Sequence, residues 1–324
     1  MMRILEYDEV DPLEVLQLNL LALGFALTPE RVKLIRQYDP RPFPFFALYA
    51  IVDKVVAGQV GVFRLPMVSV DGPEDVGGVW AVCTHPSFIR RNIASRLLNE
   101  AHKRMQAEGL RFSTLGTSKH RVAHILYQKQ GYWDIFFSAS ILFRHEIIKD
   151  GNKDLHIEQA RHDSLHLADN LFRKISSNYL GFARRYEPFI PAMVKIGEIA
   201  MGRIEEKNIW FVWEKDKLVG YFIAEYSGSI LNIQDILLKK NVNPLNAIKS
   251  LARKLPAPYI QIKSNYNSIT KSLSDLLKDR ILVVPQDWST FMVKPLKKDV
   301  MKKDLKSLFG IGTDRFLFSW LDST

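Results

Sequence analysis

The sequence predicts an α/β protein with mixed, α+β-type sheets, built from two units that repeat one order of elements. Three observations carry this. A strand-like run, a basic turn and a helical pattern follow one another without a break over residues 79–105. A hairpin of two apolar runs around a short polar turn occurs twice, as DKVVAG from Asp53 and DKLVG from Asp216. The chain has 324 residues, 47% of them hydrophobic, which is enough for two ordinary cores. The expected division is 1–150 and 151–324.

Composition narrows the class. No apolar run approaches roughly 18 residues, so no membrane-spanning helix is expected. The first 15 residues alternate charged and apolar side chains and lack the pattern of a secretory signal. The single cysteine, Cys83, falls in a strand-like run and has no internal partner, which fits a reducing, cytoplasmic setting. Net charge is +10, made up of +2 in residues 1–150 and +8 in residues 151–324. The positive charges of the second half are dispersed, which favours a solvated lysine-rich surface over a nucleic-acid interface.

In chain order, residues 4–9 read as a strand and 12–23 as a helix with Leu13, Leu16, Leu20 and Leu23 on its apolar face and Asn19 on the polar side. Thr28 and Pro29 open a second helix to about Gln37. Three prolines at 40, 42 and 44 make a rigid loop, whose aromatic neighbours either line a pocket or pack under a sheet. Residues 46–52 and 55–63 form the first hairpin, and 66–78 read as a polar loop carrying Asp71, Glu74 and Asp75. Residues 79–84 form a strand that Pro86 ends. From Ile93 a helix begins, with Ile93, Leu97, Leu98, Ala101 and Met105 on one face. A strand over 110–117, a helix over 120–130 capped by Gly131, and two strands over 132–147 complete the first unit.

Between the strand and the helix lie Arg90, Arg91 and Asn92. A helix start leaves its first backbone N–H groups unpaired at the positive end of the helix dipole, so this turn is suited to a phosphate. The segment THPSFIRRNIASRLL (84–98), the hairpin followed by Gly58, and AHILYQKQGY (123–132) together resemble the GNAT superfamily of acyl-CoA-dependent N-acyltransferases. The order and spacing of these segments match over residues 1 to about 147. The chain is thus identified as a tandem arrangement of two GNAT-like domains, the second degenerate.

The resemblance implies an acetyl-CoA-dependent N-acetyltransferase that moves an acyl group to a primary amine, on a small molecule or a protein. It implies that the backbone of Val82, Cys83 and Thr84 holds pantetheine and the thioester oxygen. The loop Ile89, Arg90, Arg91, Asn92, Ile93, Ala94 and Ser95 would hold the pyrophosphate. Ile89 stands where the family usually has Arg or Gln, and Asn92 where it usually has its first glycine. Asn tolerates the left-handed conformation better than most residues, and the two arginines supply phosphate attraction. Tyr127 occupies the place of the family's frequent general acid. The central strand, GVWAVC, has no glutamate, which leaves Glu74 as the base to consider first, with Asp75, His120 or water as alternatives. No metal is expected: His162 and His166 are four apart but lack a third ligand. Two other readings remain at this stage, an aminoacyl-tRNA-dependent transferase and a non-catalytic acyl-CoA-binding module.

The second unit repeats the order of strand, two helices, hairpin, central strand and helix over residues 155–255. The turn at 239–244 lacks glycine and arginine, and Pro244 marks a plain helix start. Further elements are expected over 259–263, 268–277 and 281–296. The apolar run at 316–321 is expected to pair with a sheet edge or cover the junction of the units.

Overall fold

The computed structural model describes residues 2–43, 45–138, 140–147, 155–199, 202–263, 273, 277, 281–283, 289–297, 300–319 and 321–323. The first half runs β1 (Arg3–Glu6), α1 (Pro12–Leu23), α2 (Pro29–Tyr38), β2 (Phe45–Val52), β3 (Val55–Ser69), β4 (Gly72–Thr84), α3 (Ile93–Ala107), β5 (Phe112–Thr117), α4 (Val122–Lys129), β6 (Trp133–Ser138) and β7 (Ser140–Arg144). The second runs β8 (His156–Gln159), α5 (His166–Ser176), β9 (Leu180–Gly181), α6 (Ile190–Ile196), β10 (Glu198–Ile199), β11 (Gly202–Arg203), β12 (Ile209–Glu214), β13 (Lys217–Ser227) and β14 (Ile230–Leu238). It continues through α7 (Pro244–Lys254), β15 (Tyr259–Lys263), β16 (Ile281–Val283), β17 (Ser289–Pro295), α8 (Lys302–Leu308) and β18 (Phe316–Leu317). The helix expected over 268–277 lies outside the described residues, apart from Leu273 and Leu277.

Two mixed sheets organise these elements. One has the order β1-β2-β3-β4-β5-β17-β6, the other β16-β7-β15-β14-β13-β12-β8. Each holds a strand from the other half of the chain. β17 lies between β5 and β6, antiparallel to both, and β7 lies between β15 and β16, again antiparallel to both. The exchange ties the halves through backbone ladders as well as side-chain packing. Phe136, Phe182, Phe291, Phe316 and Phe318 meet at the junction with ring centroids 5.0–6.3 Å apart. The tail thus does both things expected of it, since β18 also pairs with β9, which reaches the edge of β3 at Val68.

Local chemistry explains most element ends. Thr28 Oγ1 accepts from the Arg31 N–H (3.2 Å) and caps α2. Asp53 and Lys54 take φ of 49° and 67°, the left-handed pair that a two-residue hairpin turn requires. The face of α3 bearing Ile93, Leu97, Leu98, Ala101 and Met105 is buried against β2, β3 and β4. Close approach is secured at Gly58, where a Cβ would lie 2.7 Å from Ile93 Cγ2 and 3.1 Å from the Cys83 carbonyl oxygen.

Two expectations are corrected. The buried face of α1 is Val15, Leu18 and Asn19, while Leu13 and Leu20 are 64% and 50% exposed. Leucines surround this helix, so periodicity alone is ambiguous. A polar contact fixes its rotation: Asn19 Nδ2 donates to Gln59 Oε1 on β3 (2.8 Å) and to the Val15 carbonyl (2.9 Å), which compensates burial of the amide. Residues 66–78 are not a loop but the end of one long hairpin, β3 running to Ser69 and β4 starting at Gly72. Leu65, Met67 and Val76, all fully buried, draw these residues into the sheet despite their acidic neighbours.

Candidate functional site

The site begins where two parallel strands part. β4 and β5 are paired only at Gly77–Ser113 and Gly78–Thr114. Beyond those pairs their ends diverge around a cavity of about 630 Å³, lined by Val79–Val82 on one side and Leu115–Thr117 on the other. On its other edge β4 carries a bulge: the register with β3 shifts between Gln59–Cys83 and Gly61–Trp80. Ala81 takes φ 48°, and its carbonyl accepts from Gln59 Nε2 (3.3 Å), the side chain that Asn19 holds. The buried Asn19–Gln59 pair therefore stabilises a strained strand where it faces the cavity.

After β4 the chain makes a short turn at Pro86–Phe88, in which His85 Nδ1 accepts from the Ser87 N–H (3.1 Å). Arg90 and Asn92 then adopt φ of 61° and 59°, conformations in which glycine is at ease and most residues are not. Asn92 makes no side-chain cap on α3, and the first backbone bond back to it is from Arg96 N (3.1 Å). The amides of Ile93, Ala94 and Ser95 are thus left without helical partners at the positive end of the helix dipole. The Arg91 guanidinium sits 5.0 Å over the Phe88 ring. The exposed Ile89 makes no comparable polar feature.

Tyr127 of α4 lines the cavity and is 7% exposed, and burial raises its phenol above the usual range, so it stays protonated at neutral pH. Cys83 is a free thiol turned into the core, pushed up to about 12 by burial, and so is not a nucleophile. Glu74 lies at the opposite end of β4, eight residues from Val82 or about 26 Å along a strand. Its carboxylate pairs with Arg111 (3.0 Å), and burial raises its pKa against the lowering effect of that arginine. Asp75 accepts from the Tyr186 hydroxyl (2.7 Å), and His120 is exposed outside the cavity wall. His162 is 3.6 Å from the Glu206 carboxylate.

The rest of the wall was not legible in the sequence. Arg31 comes from α2, Asp39 and Arg41 from the proline-rich loop, Arg121 from the start of α4, and Ser323 from the C-terminal segment. Of these elements, the sequence points to a pocket only at the proline-rich loop. Its Arg41 binds Asp39 through Nε (2.9 Å) and Nη2 (2.6 Å) and stacks 4.1 Å over Phe63, while Phe43 and Phe46 pack beneath the sheet.

The corresponding region of the second half differs among the described residues. Asn243 caps α7 with its own side chain, accepting from Leu245 N (2.9 Å) and Asn246 N (3.2 Å), so these amides are already used. β14 and β15 pair over four residues, from Ile230–Tyr259 to Ile233–Ile262. Beside the bulge of β14 lies a buried network: Arg185 grips Asp322 (2.7 and 3.0 Å) and reaches Tyr221 Oη (3.1 Å), while Asp235 accepts from Tyr221 (3.2 Å) and Ser319 (3.1 Å). Burial raises Asp235 to about 6 even with Arg185 near. The C-terminal segment thus joins the second half's buried network through Ser319 and Asp322 and lends Ser323 to the first half's cavity.

Similarity to known proteins agrees with this geometry. Residues 13–132 match the acetyltransferase (GNAT) family. No curated protein sequence matches the chain. Among solved structures, a probable N-acyltransferase from Enterococcus faecalis V583 has 14% identity and a TM-score of 0.70, covering 91% of this chain and 73% of its own. A GCN5-related N-acetyltransferase from Anabaena variabilis gives 17% and 0.66, with 92% and 73% coverage, and one from Kribbella flavida 14% and 0.63, with 90% and 70%. At such identities these likenesses speak for the fold over nearly the whole chain, and the sequence match speaks for its first part. The segment similar to the acetyltransferase (GNAT) family thus spans residues 13–132, which include β4, the turn before α3, and α4.

Proposed function

We propose that the protein is an acetyl-CoA-dependent N-acetyltransferase with one coenzyme site, in the first half, acting on a primary amine in the cytoplasm. The observation that carries this reading is the parting of β4 from β5 around a cavity that holds Tyr127. Pantetheine fits between the parted strands, bonded to the β4 backbone at Val82, Cys83 and Thr84. The pyrophosphate fits the turn from Ile89 to Ser95, where two left-handed residues and an uncapped helix start present amides, and Arg90 and Arg91 add charge.

In the reaction the amine nitrogen attacks the thioester carbonyl carbon, and the oxygen gains negative charge that backbone N–H groups of the bulged strand are placed to receive. The C–S bond then breaks, and Tyr127 gives its proton to the departing thiolate. The nitrogen's surplus proton leaves to water, which is consistent with a cavity whose only carboxylate among the described residues, Asp39, is engaged by Arg41. Glu74, at the far end of β4, has a structural part in this reading through Arg111.

Replacement of Tyr127 by Phe tests the assignment. Turnover with a reactive amine should fall by about tenfold or more, while calorimetry shows acetyl-CoA binding unchanged. Unaltered turnover would remove Tyr127 from the mechanism.

A further inference from the structure

We propose that β17, the strand the second half supplies to the first sheet, positions the proton donor Tyr127, with Thr290 and Lys294 as the positioning residues; this rests on the acyl-transfer reading above. Helix α4, which carries Tyr127, has little of its own to fix it. It is eight residues long, lacks a side-chain N-cap, has His124 and Tyr127 as its buried residues, and leaves Val122 and Ile125 86% and 55% exposed. So short a helix is marginal by itself, and its place is set by tertiary contacts. These lead to β17. Asp134 Oδ1 accepts from His124 Nε2 and from Thr290 Oγ1, both at 2.8 Å, and Asp134 Oδ2 accepts from Gln128 Nε2 (3.3 Å). Burial raises the Asp134 pKa, the bonds from His124, Thr290 and Gln128 lower it, and the balance falls below the ordinary carboxylate range, so the group is an ionised acceptor at neutral pH. His124 and Gln128 bracket Tyr127 on α4, and the fully buried Thr290 fixes the carboxylate that holds them.

A second chain of hydrogen bonds starts from the same face of β17. Side chains alternate along the strand: Phe291 and Val293 enter the core at the junction of the halves, while Met292 joins the cluster that holds Tyr127 and Tyr132. Lys294, two residues on from Met292, donates through Nζ to His102 Nδ1 (3.0 Å). That nitrogen is therefore the acceptor of the neutral ring, so Nε2 carries the proton and donates to Tyr132 Oη (2.8 Å). Tyr132 in turn donates to Ser113 Oγ (2.6 Å), and Ser113 to the Gly77 carbonyl (3.3 Å). The Tyr132 ring meets Tyr127 edge-on, with centroids 5.9 Å apart, and Gly77–Ser113 is one of the two pairs beyond which β4 and β5 part. One strand thus secures the helix that carries Tyr127, the ring beside it and the root of the cleft. Misplacement of a reacting group by about 1 Å costs up to about 100-fold in rate, so loss of these ties is read in turnover.

The experiment measures release of the coenzyme A thiol with 2-phenylethylamine, spermidine and a lysine-containing peptide as acceptors, in Thr290→Val, Thr290→Ser and Lys294→Met, each alone and combined with Tyr127→Phe. Valine matches threonine in shape and leaves Asp134 two of its donors, and methionine keeps an aliphatic stem at 294, so both variants fold; urea unfolding checks this. Thr290→Val and Lys294→Met should each lower kcat at least about fivefold, with KM for acetyl-CoA within about twofold of wild type. Thr290→Ser, which keeps the donor, should hold kcat within about twofold of wild type. In the Tyr127→Phe background either β17 substitution should lower kcat by less than about twofold, because the group it positions is already gone. Wild-type kcat in both β17 variants, a change in KM alone, a loss of stability without a loss of turnover, or an equal fall in the presence of Tyr127→Phe overturns the inference. Transfer to none of the three acceptors, or wild-type turnover in Tyr127→Phe, overturns the proposed function on which it rests.

Discussion

The turn at Asn92 is the point at which a phosphate site depends on backbone conformation, so substitution there is the sharpest probe of how the loop works. Asn92 holds φ 59° and ψ 19° immediately before α3, and Arg90 is also left-handed at φ 61°. Left-handed conformation costs an ordinary L-residue about 1–2 kcal/mol, less for Asn and almost nothing for Gly. Asn92→Gly should therefore leave stability and coenzyme affinity at wild-type levels or slightly above. Asn92→Val places a β-branched side chain in the least tolerant conformation and should cost about 2 kcal/mol. If the free loop keeps its shape, that cost appears as lower stability in urea. If the loop relaxes when empty, it appears as weaker binding, about 30-fold in Kd at 1.4 kcal/mol per decade. Titration calorimetry with coenzyme A and urea unfolding, run on both variants, capture either outcome. An Asn92→Val protein with wild-type stability and wild-type Kd would refute the claim that the left-handed turn shapes the site.

Two further predictions concern the fold. His102 is 5% exposed, with Nε2 2.8 Å from Tyr132 Oη and Nδ1 3.0 Å from Lys294 Nζ; burial, then the lysine charge, lowers its pKa to about 3. Since the unfolded imidazole takes up a proton below about pH 6.5 and the native one does not, its contribution to stability is full above that pH and falls as pH drops toward 3. At pH 5 the loss is about 2 kcal/mol. His102→Gln should lose correspondingly less stability than wild type between pH 7.5 and 5 in urea titrations, and equal losses would contradict the assignment. Because each sheet contains a strand from the other half, calorimetric unfolding should show one transition, and Phe291→Ala should lower it without splitting it, at a cost of about 3–5 kcal/mol. Two separated transitions would show that the exchanged strands do not couple the halves.

What could be read in advance was local. The stretch 79–105 gave strand, turn and helix because each carries its own period, and the left-handed Asp53, Lys54 and Gly131 sit where turn chemistry puts them. The parts that escaped are set by distant partners. Nothing in the alternation of β6 and β7 says that adjacent strands enter different sheets, since β5 finds its neighbour in β17, more than 170 residues along the chain. The rotation of α1 depends on Gln59, 40 residues away, and 66–78 joined the sheet because Leu65, Met67 and Val76 outweigh the acidic residues between them. Arg31, Arg121 and Ser323 look like ordinary surface residues in sequence, and only the tertiary fold brings them to one cavity.

The stoichiometry of acetyl-CoA binding tests the account most directly, because the proposed function puts one coenzyme site in the chain, in its first half. Titration calorimetry should give one molecule per chain, abolished or strongly weakened by Arg90→Glu combined with Arg91→Glu, and untouched by Asn243→Ala in the second half. Two molecules per chain, or one that persists in the double variant and disappears with Asn243→Ala, would contradict it.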